Sequence, residues 1–257
     1  MTMHITRPSR RCFSIALLAT CISAGAQTAP RAYAVVSEVA RQVSVVSFQE
    51  GTGSRLNNNI RQRVDVPDGA LDKVFLLSAQ KVLKQASPGA DIWLLAPAES
   101  DFFGIVQPGK GDRVTIPDDL LAALRERKST HLLMFTRHRA DANLRFVDGN
   151  DGAGQLEGLG YYVDHQTRVR LIEAQEVGVG YLASFAHFRA TLVDLSTLQA
   201  VASMASVANL VTPVAGSKSG SGHPWQTLGP AQKMTQLRDL VIGEVERMVP
   251  ELANGKP

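Results

Sequence analysis

Cysteine is almost missing from this chain. Its 257 residues contain two, Cys12 and Cys21, and both fall within the first 26 positions. From Gln27 onward there is no thiol, which excludes a disulfide, a thiolate metal site and a cysteine nucleophile in that part. An excess of one charge is lacking too. The 27 Lys and Arg exceed the 24 Asp and Glu by three, and Arg7, Arg10 and Arg11 account for the difference, leaving 24 of each sign from residue 27 on. No electrostatic footprint for nucleic acid is therefore expected. Long apolar runs are missing as well: none reaches the roughly 20 residues that a membrane-spanning helix needs. Neither Gly-x-Ser-x-Gly nor His-Glu-x-x-His occurs, so the common serine-hydrolase and zinc-protease signatures are absent.

The first 28 residues end in "PSRRCFSIALLATCISAGAQT". Arginines without acids, an apolar run from Phe13 to Ile22, and Ser23-Ala24-Gly25-Ala26 make a signal peptide with cleavage expected after Ala26. Export to the periplasm is the expectation, by one of three routes. Ser9-Arg10-Arg11-Cys12-Phe13 fits a twin-arginine start, although Ser14-Ile15 stands where Leu-Lys is usual. Leu18-Ala19-Thr20-Cys21 approximates a lipoprotein box with Thr20 at its small-residue position. The ordinary secretory signal needs neither feature.

The remaining residues, about 230, are enough for one large domain or two small ones. At 44% hydrophobic and 20% charged the composition is globular. "YAVVSEVARQVSVVSF" (33–48) reads as a hairpin or one long bent strand. Pro67-Asp68 opens a helix with the stripe Leu71, Val74, Phe75, Ser78, Ala79, Val82, Leu83, stopped by Ser87-Pro88-Gly89. "DIWLLA" (91–96) is a buried strand, and strand–helix–strand predicts a parallel crossover. A short helix follows Pro117, then the strand "HLLMFTRHR" (131–139). Five glycines between 143 and 167 predict an exposed loop. Strands return at 168–172 and 181–195, with a hairpin turning at Ser196-Thr197. Residues 212–224 read as a flexible connection. A last helix begins at Gly229-Pro230, with the stripe Met234, Leu237, Val241, Val245, Met248, and is expected to stop at Pro250. The fold class predicted is α/β: a single domain, residues 27–257, with a mixed β-sheet and about three main helices.

That order, with "HLLMF" and "FRATLVDLSTLQAVASMASV", resembles in layout the envelope accessory domains of the curli-export lipoprotein, of penicillin-binding-protein activators and of the amino-terminal part of TolB. It is also similar to an uncharacterised secreted family of proteobacteria. The resemblance implies a compartment and a binding role rather than a chemistry.

Two motif-like stretches fail on inspection. Gly104-Ile-Val-Gln-Pro-Gly109-Lys110 starts like a phosphate-binding loop, but Gly111 replaces the required Ser or Thr. Asp148-Gly-Asn-Asp-Gly152 is acidic enough for a calcium loop, but Gly152 offers no side-chain ligand and Leu159 stands where the closing Glu belongs. No cofactor is expected.

The remaining candidates are scattered. His138 ends a strand, Asp164-His165 follow Tyr161-Tyr162, and His187 alternates with Phe185 and Arg189 on one strand face. If the 143–167 segment folds over the sheet, His138, Asp164, His165, His187 and Arg189 can converge on a metal ion or an anionic ligand. Such residues more commonly cap strands or hydrogen-bond at the surface. Two expectations follow. The first is a non-enzymatic accessory or binding module with an envelope protein as partner, contacted by an edge strand or by 143–167. The second is a secreted metal-dependent hydrolase, or a small-ligand carrier, built on those His and Asp residues.

Overall fold

The computed structural model describes residues 31–50, 58–95, 107–108, 113–146, 149–171, 176–214 and 222–255. The segment expected to be a signal, most of the 104–111 motif and most of the 212–224 connection lie outside them. In chain order come β1 (Ala32–Ser37), β2 (Gln42–Ser47), β3 (Ile60–Asp65), α1 (Ala70–Ala86) and β4 (Asp91–Leu95). Two short strands follow, β5 (Gln107–Pro108) and β6 (Val114–Thr115), then α2 (Asp118–Glu126) and β7 (His131–Arg137). The second half holds β8 (Arg139–Asp141), β9 (Leu144–Phe146), β10 (Gly149–Asp151), β11 (Gln155–Leu171), β12 (Glu176–Asp194), β13 (Gln199–Pro213) and α3 (Pro230–Ala253).

The strand β12 organises the sheet. Along one edge it pairs antiparallel with β13 for nearly its whole length. Along the other edge it pairs with two strands in succession, β11 and then β7, with Gly158 opposite His187 and Arg137 opposite Phe188. Outside β7 lie β1 and β4, both parallel, and outside β11 lie parallel β2 and antiparallel β3. The sheet is mixed, as expected. Because β1 follows β7 and β2 follows β11 in direction, β1 and β2 are one long strand bent at residues 38–41. The buried Asp72 carboxylate of α1 holds that bend, accepting from Ser37 Oγ at 2.6 Å and from Ala40 N at 3.1 Å.

One face of the sheet is covered by α1 and α3. Leu71, Phe75, Ala79, Val82 and Leu83 of α1, and Leu237, Val241, Val245 and Met248 of α3, are buried against Leu182, Ala186, Phe188 and Leu192 of β12. The other face, called distal below, has two separate covers. At one end α2 buries Leu121 and Leu124 on Leu132, Met134 and Val193. At the other end Ala142, Leu144 and Leu156 close over Tyr162, Tyr181 and Phe185.

Three local expectations are corrected. The segment 143–167 is not one loop: β9 and β10 form a hairpin, and from Gln155 the chain runs in β11. Its glycines serve both parts. Gly152 has φ +110, which suits the turn, whereas Gly160 lies in the strand because an added Cβ would stand 2.6 Å from Phe185 Cζ. The last helix runs through Pro250 to Ala253, since burial of Val249, Leu252 and Ala253 offsets the single backbone bond that proline cannot make. Met234 is exposed and Lys233 takes the buried place, its Nζ donating to Leu228 O and lying 4.0 Å from the Trp225 ring centroid. A lysine's apolar stem and cationic head together suit an indole face.

Candidate functional site

His187 sits at a seam in the sheet. The chain leaves the β12 edge at His138, makes the β8–β10 excursion and returns at Gly158. His138 N donates to His187 O at 3.1 Å across this seam. The His187 ring is buried, and its Nδ1 meets no hydrogen-bond partner among the described residues. Burial pushes its pKa down to about 4, a hydrogen bond to the Leu156 backbone opposing this and nearby His138 adding to it. The His138 pKa is also lowered, first by desolvation and then by Arg189. Arg189, two residues along the same face, is exposed and its Nη1 reaches Ser203 Oγ at 3.5 Å.

Asp164 and His165 lie elsewhere. Asp164 stands opposite Tyr181, six strand positions from the seam, which is roughly 20 Å at strand rise. Its buried carboxylate has a structural task. Oδ1 accepts from Gln166 N at 2.7 Å and Thr167 N at 2.8 Å, and Oδ2 accepts from Thr167 Oγ1 at 2.9 Å. These bonds clamp the irregularity between Asp164 and Arg168, where the β11–β12 register shifts. His165 is exposed, its ring edge-on to that of His223 with centroids 4.7 Å apart. The structure thus brings His138, His187 and Arg189 together and sets Asp164 and His165 apart from them. Among the described residues no three His, Cys, Asp or Glu side chains are grouped to hold a metal ion.

Two features were missed in the residue pattern. The first is β13. Among the described residues it pairs with β12 on one side, while on its outer side the one bridge is Gln199 to Arg113. It has no charged residue in fifteen, and Val201, Val207 and Leu210 are nearly half exposed, at 48%, 48% and 46%. Val201 is the extra residue of a bulge, unpaired between Ala200 and Ala202. That uncharged run was visible in "QAVASMASVANLVTP", but only the topology makes it an edge.

The second is a cleft of about 290 Å³ on the distal face, between the β9–β10 hairpin and the ends of β11 and β13. Arg145, Arg168 and Arg170 line it together with Phe146, Val169 and Val211. Beside it Tyr181 Oη donates to Asp151 Oδ2 at 3.4 Å, and its pKa is raised, chiefly by burial. Tyr162 is likewise pushed up to about 12 by burial, with its Oη accepting from Ala153 N at 3.1 Å. Both phenols therefore stay neutral and act as hydrogen-bonding supports of the hairpin.

No family model matches the chain, and no curated protein sequence matches it. Solved structures do resemble it. A putative neuraminyllactose-binding hemagglutinin homolog from Helicobacter pylori superposes with a TM-score of 0.43 at 9% identity, over 88% of this chain and 90% of that one. A DUF330 protein from Xanthomonas campestris gives 0.36 at 8% identity, over 88% and 84%. A PelC dodecamer from Paraburkholderia phytofirmans gives 0.26 at 9%, over 84% and 86%. Scores and identities this low bear on no functional assignment.

Proposed function

We propose that the chain is an exported periplasmic accessory module that binds an extended segment of another envelope protein along β13, and that it works by binding rather than catalysis. The observation that carries this reading is the edge itself. Sheet edges are ordinarily blunted by lysines, prolines, bulges or short length. Here fifteen residues without a charge run along the outside of the sheet, with the bulge at Val201 and Pro213 near the two ends.

A strand added to this edge gains backbone hydrogen bonds, and its alternate side chains meet the β13 pattern. On the distal face that pattern is Ser203, Ala205 and Val207, cross-strand from Thr191, Arg189 and His187. Arg189 would give the partner segment its one charged contact there. Asn209 Nδ2 donates to Val207 O at 3.4 Å. A bond this long is readily exchanged for one to an incoming strand.

The export part of the reading rests on the amino-terminal segment. Full-length protein expressed in a Gram-negative host should appear in the periplasmic fraction, with Gln27 as its first residue on amino-terminal sequencing. An uncleaved chain retained in the cytoplasm would contradict it. For the binding part, a photoreactive residue at Ser203 is expected to give one cross-linked adduct of defined mass with another envelope protein. Ala205→Lys with Val207→Lys should abolish that adduct while leaving the circular dichroism spectrum unchanged. An adduct of twice the chain's own mass, or no adduct, would overturn the reading.

A further inference from the structure

We infer that the segment pairing with β13 carries one Asp or Glu on its distal side, beside Ser203 and bonded to Arg189, with apolar residues on its other side. The inference rests on β13 being a pairing edge, and it adds the chemistry of what pairs there.

Arg189 stands in a gap on the distal face. One cover of that face, around α2, packs on β12 at Val193, and the other, of Ala142, Leu144 and Leu156, packs at Phe185. Between them the distal positions of β12 are buried His187, exposed Arg189 and half-buried Thr191. Cross-strand from these on β13 lie Val207, Ala205 and Ser203, all exposed. The guanidinium leans toward the edge. Its Nη1 reaches Ser203 Oγ at 3.5 Å, and that hydroxyl is held over β13 by a hydrogen bond with Thr191 Oγ1 at 3.1 Å. An added strand lies about 4.8 Å beyond its neighbour. An arginine directed at Ser203 therefore meets a side chain carried beside Ser203 on that strand.

Charge decides what that side chain is. β13 itself has no charged residue, and among the described residues no carboxylate is ion-paired with Arg189. Glu157, next to the seam on β11, faces Arg139 at 3.9 Å. The titratable group beside Arg189 is His138, whose pKa is lowered first by burial and then by Arg189. The donor fork of a guanidinium matches a carboxylate, and the same charge repels a lysine or arginine, so it selects one kind of strand and rejects another.

The helix face asks for something different. Met204 and Leu210 lie there, cross-strand from Ala190 and Ser184. Met204 packs against the core under α1 and α3, and Leu210 is nearly half exposed. Beside them Gln236 of α3 donates to Thr212 Oγ1 at 3.3 Å. A charge placed against these residues loses water without gaining a partner, whereas an apolar group covers Leu210. The single carboxylate also sets register. Ala and Ser recur along β13, so backbone pairing alone specifies the alignment weakly, and one ion pair singles out one alignment.

The test is fluorescence anisotropy of the purified protein with labelled, end-capped peptides of alternating Thr and Val that carry a central Glu, Gln or Lys on the Thr face. The Glu peptide is expected to bind about fivefold tighter than the Gln peptide and about tenfold tighter than the Lys peptide, with both margins shrinking in added salt. Arg189→Gln should bring the Glu and Gln peptides to equal affinity, and Arg189→Glu should reverse the order of Glu and Lys. Both variants should keep the parent circular dichroism spectrum, because Arg189 is exposed. A Glu peptide with serines in place of its valines should bind about tenfold more weakly. Equal affinity of the Glu, Gln and Lys peptides for the parent overturns the inference, and if Ala205→Lys with Val207→Lys still abolishes their binding, the edge reading survives that result. A Glu preference that persists in Arg189→Gln overturns it too, and a serine peptide that binds like the valine one overturns its apolar half. Should no peptide bind at millimolar concentration, the inference fails, while the edge reading is judged by the Ser203 adduct.

Discussion

Replacing Phe188 with alanine is expected to lower the unfolding free energy by about 3–5 kcal/mol, the range for deleting a buried phenyl ring. The side chain is fully buried on the helix face of β12. Its ring meets Phe75 of α1 edge-on at a centroid distance of 4.8 Å and Phe135 of β7 at 6.1 Å. Removing it opens a cavity where α1, β7 and β12 converge. Phe75 and Phe135, themselves packed at 5.2 Å, cannot both move to fill the space. The measurement is urea unfolding followed by tryptophan fluorescence, with Val207→Ala as the reference on the exposed edge. That reference change should stay within about 0.5 kcal/mol. A Phe188→Ala variant as stable as Val207→Ala would show that the three-ring contact is not the centre of the core.

Acid should destabilise the protein through His187, and the sign follows from burial. The folded-state pKa is depressed to about 4, whereas in the unfolded chain an ordinary histidine titrates near 6.5. Between those values the unfolded chain holds a proton that the folded one does not, so stability rises with pH across the window and is lost as pH falls through it. A separation of this size corresponds to roughly 3 kcal/mol by pH 4. His131 and His138, both shifted in the same direction by desolvation, add to the slope. Asp194 does not contribute in this window, because the hydrogen bonds from Ser196 lower its pKa and place its effect at more acidic pH. Unfolding free energies at pH 7 and pH 4.5 should differ by much less in His187→Gln than in the parent. Equal pH dependence in the two proteins would remove His187 as the cause.

For the proposed function these two results set the working range. Both the β13 edge and the distal cleft depend on β12. The edge is the strand hydrogen-bonded along it, and the cleft is closed partly by Tyr181 and the hairpin anchored over Phe185. A loss of about 3 kcal/mol from β12 therefore weakens both together, whereas the lysine substitutions act on the edge alone.

Much of the architecture could be read from periodicity. The stripe in α1 was nearly complete, because a helix against a sheet must bury every third or fourth residue whatever the topology. The strands 91–95 and 131–137 stood out as short apolar runs, as strands covered on both faces do. The residue pattern of 33–48 fits a hairpin and one bent strand equally. What decided between them was β11 and β12, since only the pairing partners determine whether two adjacent runs continue or fold back. Glycine misled most. Gly158 and Gly160 look like loop residues, but the cross-strand Phe185 ring needs the room at Gly160, and no local pattern carries that information.

The same division applies to the candidate sites. Composition and order alone establish that from residue 27 on there is no thiol and the charges balance, and they predict an α/β element sequence and an export signal, because these are counts and short-range patterns. Where His138, Asp164, His165, His187 and Arg189 would meet was set by strand register, which placed three at one seam and two roughly 20 Å away. Register also made an uncharged run into a sheet edge and gathered Phe146, Val169 and Val211 from three strands onto one cluster. The physical reason is distance along the chain. Residues tens of positions apart become neighbours only through the pairing of whole strands, and pairing is chosen by the total burial of the sheet, which no local pattern specifies.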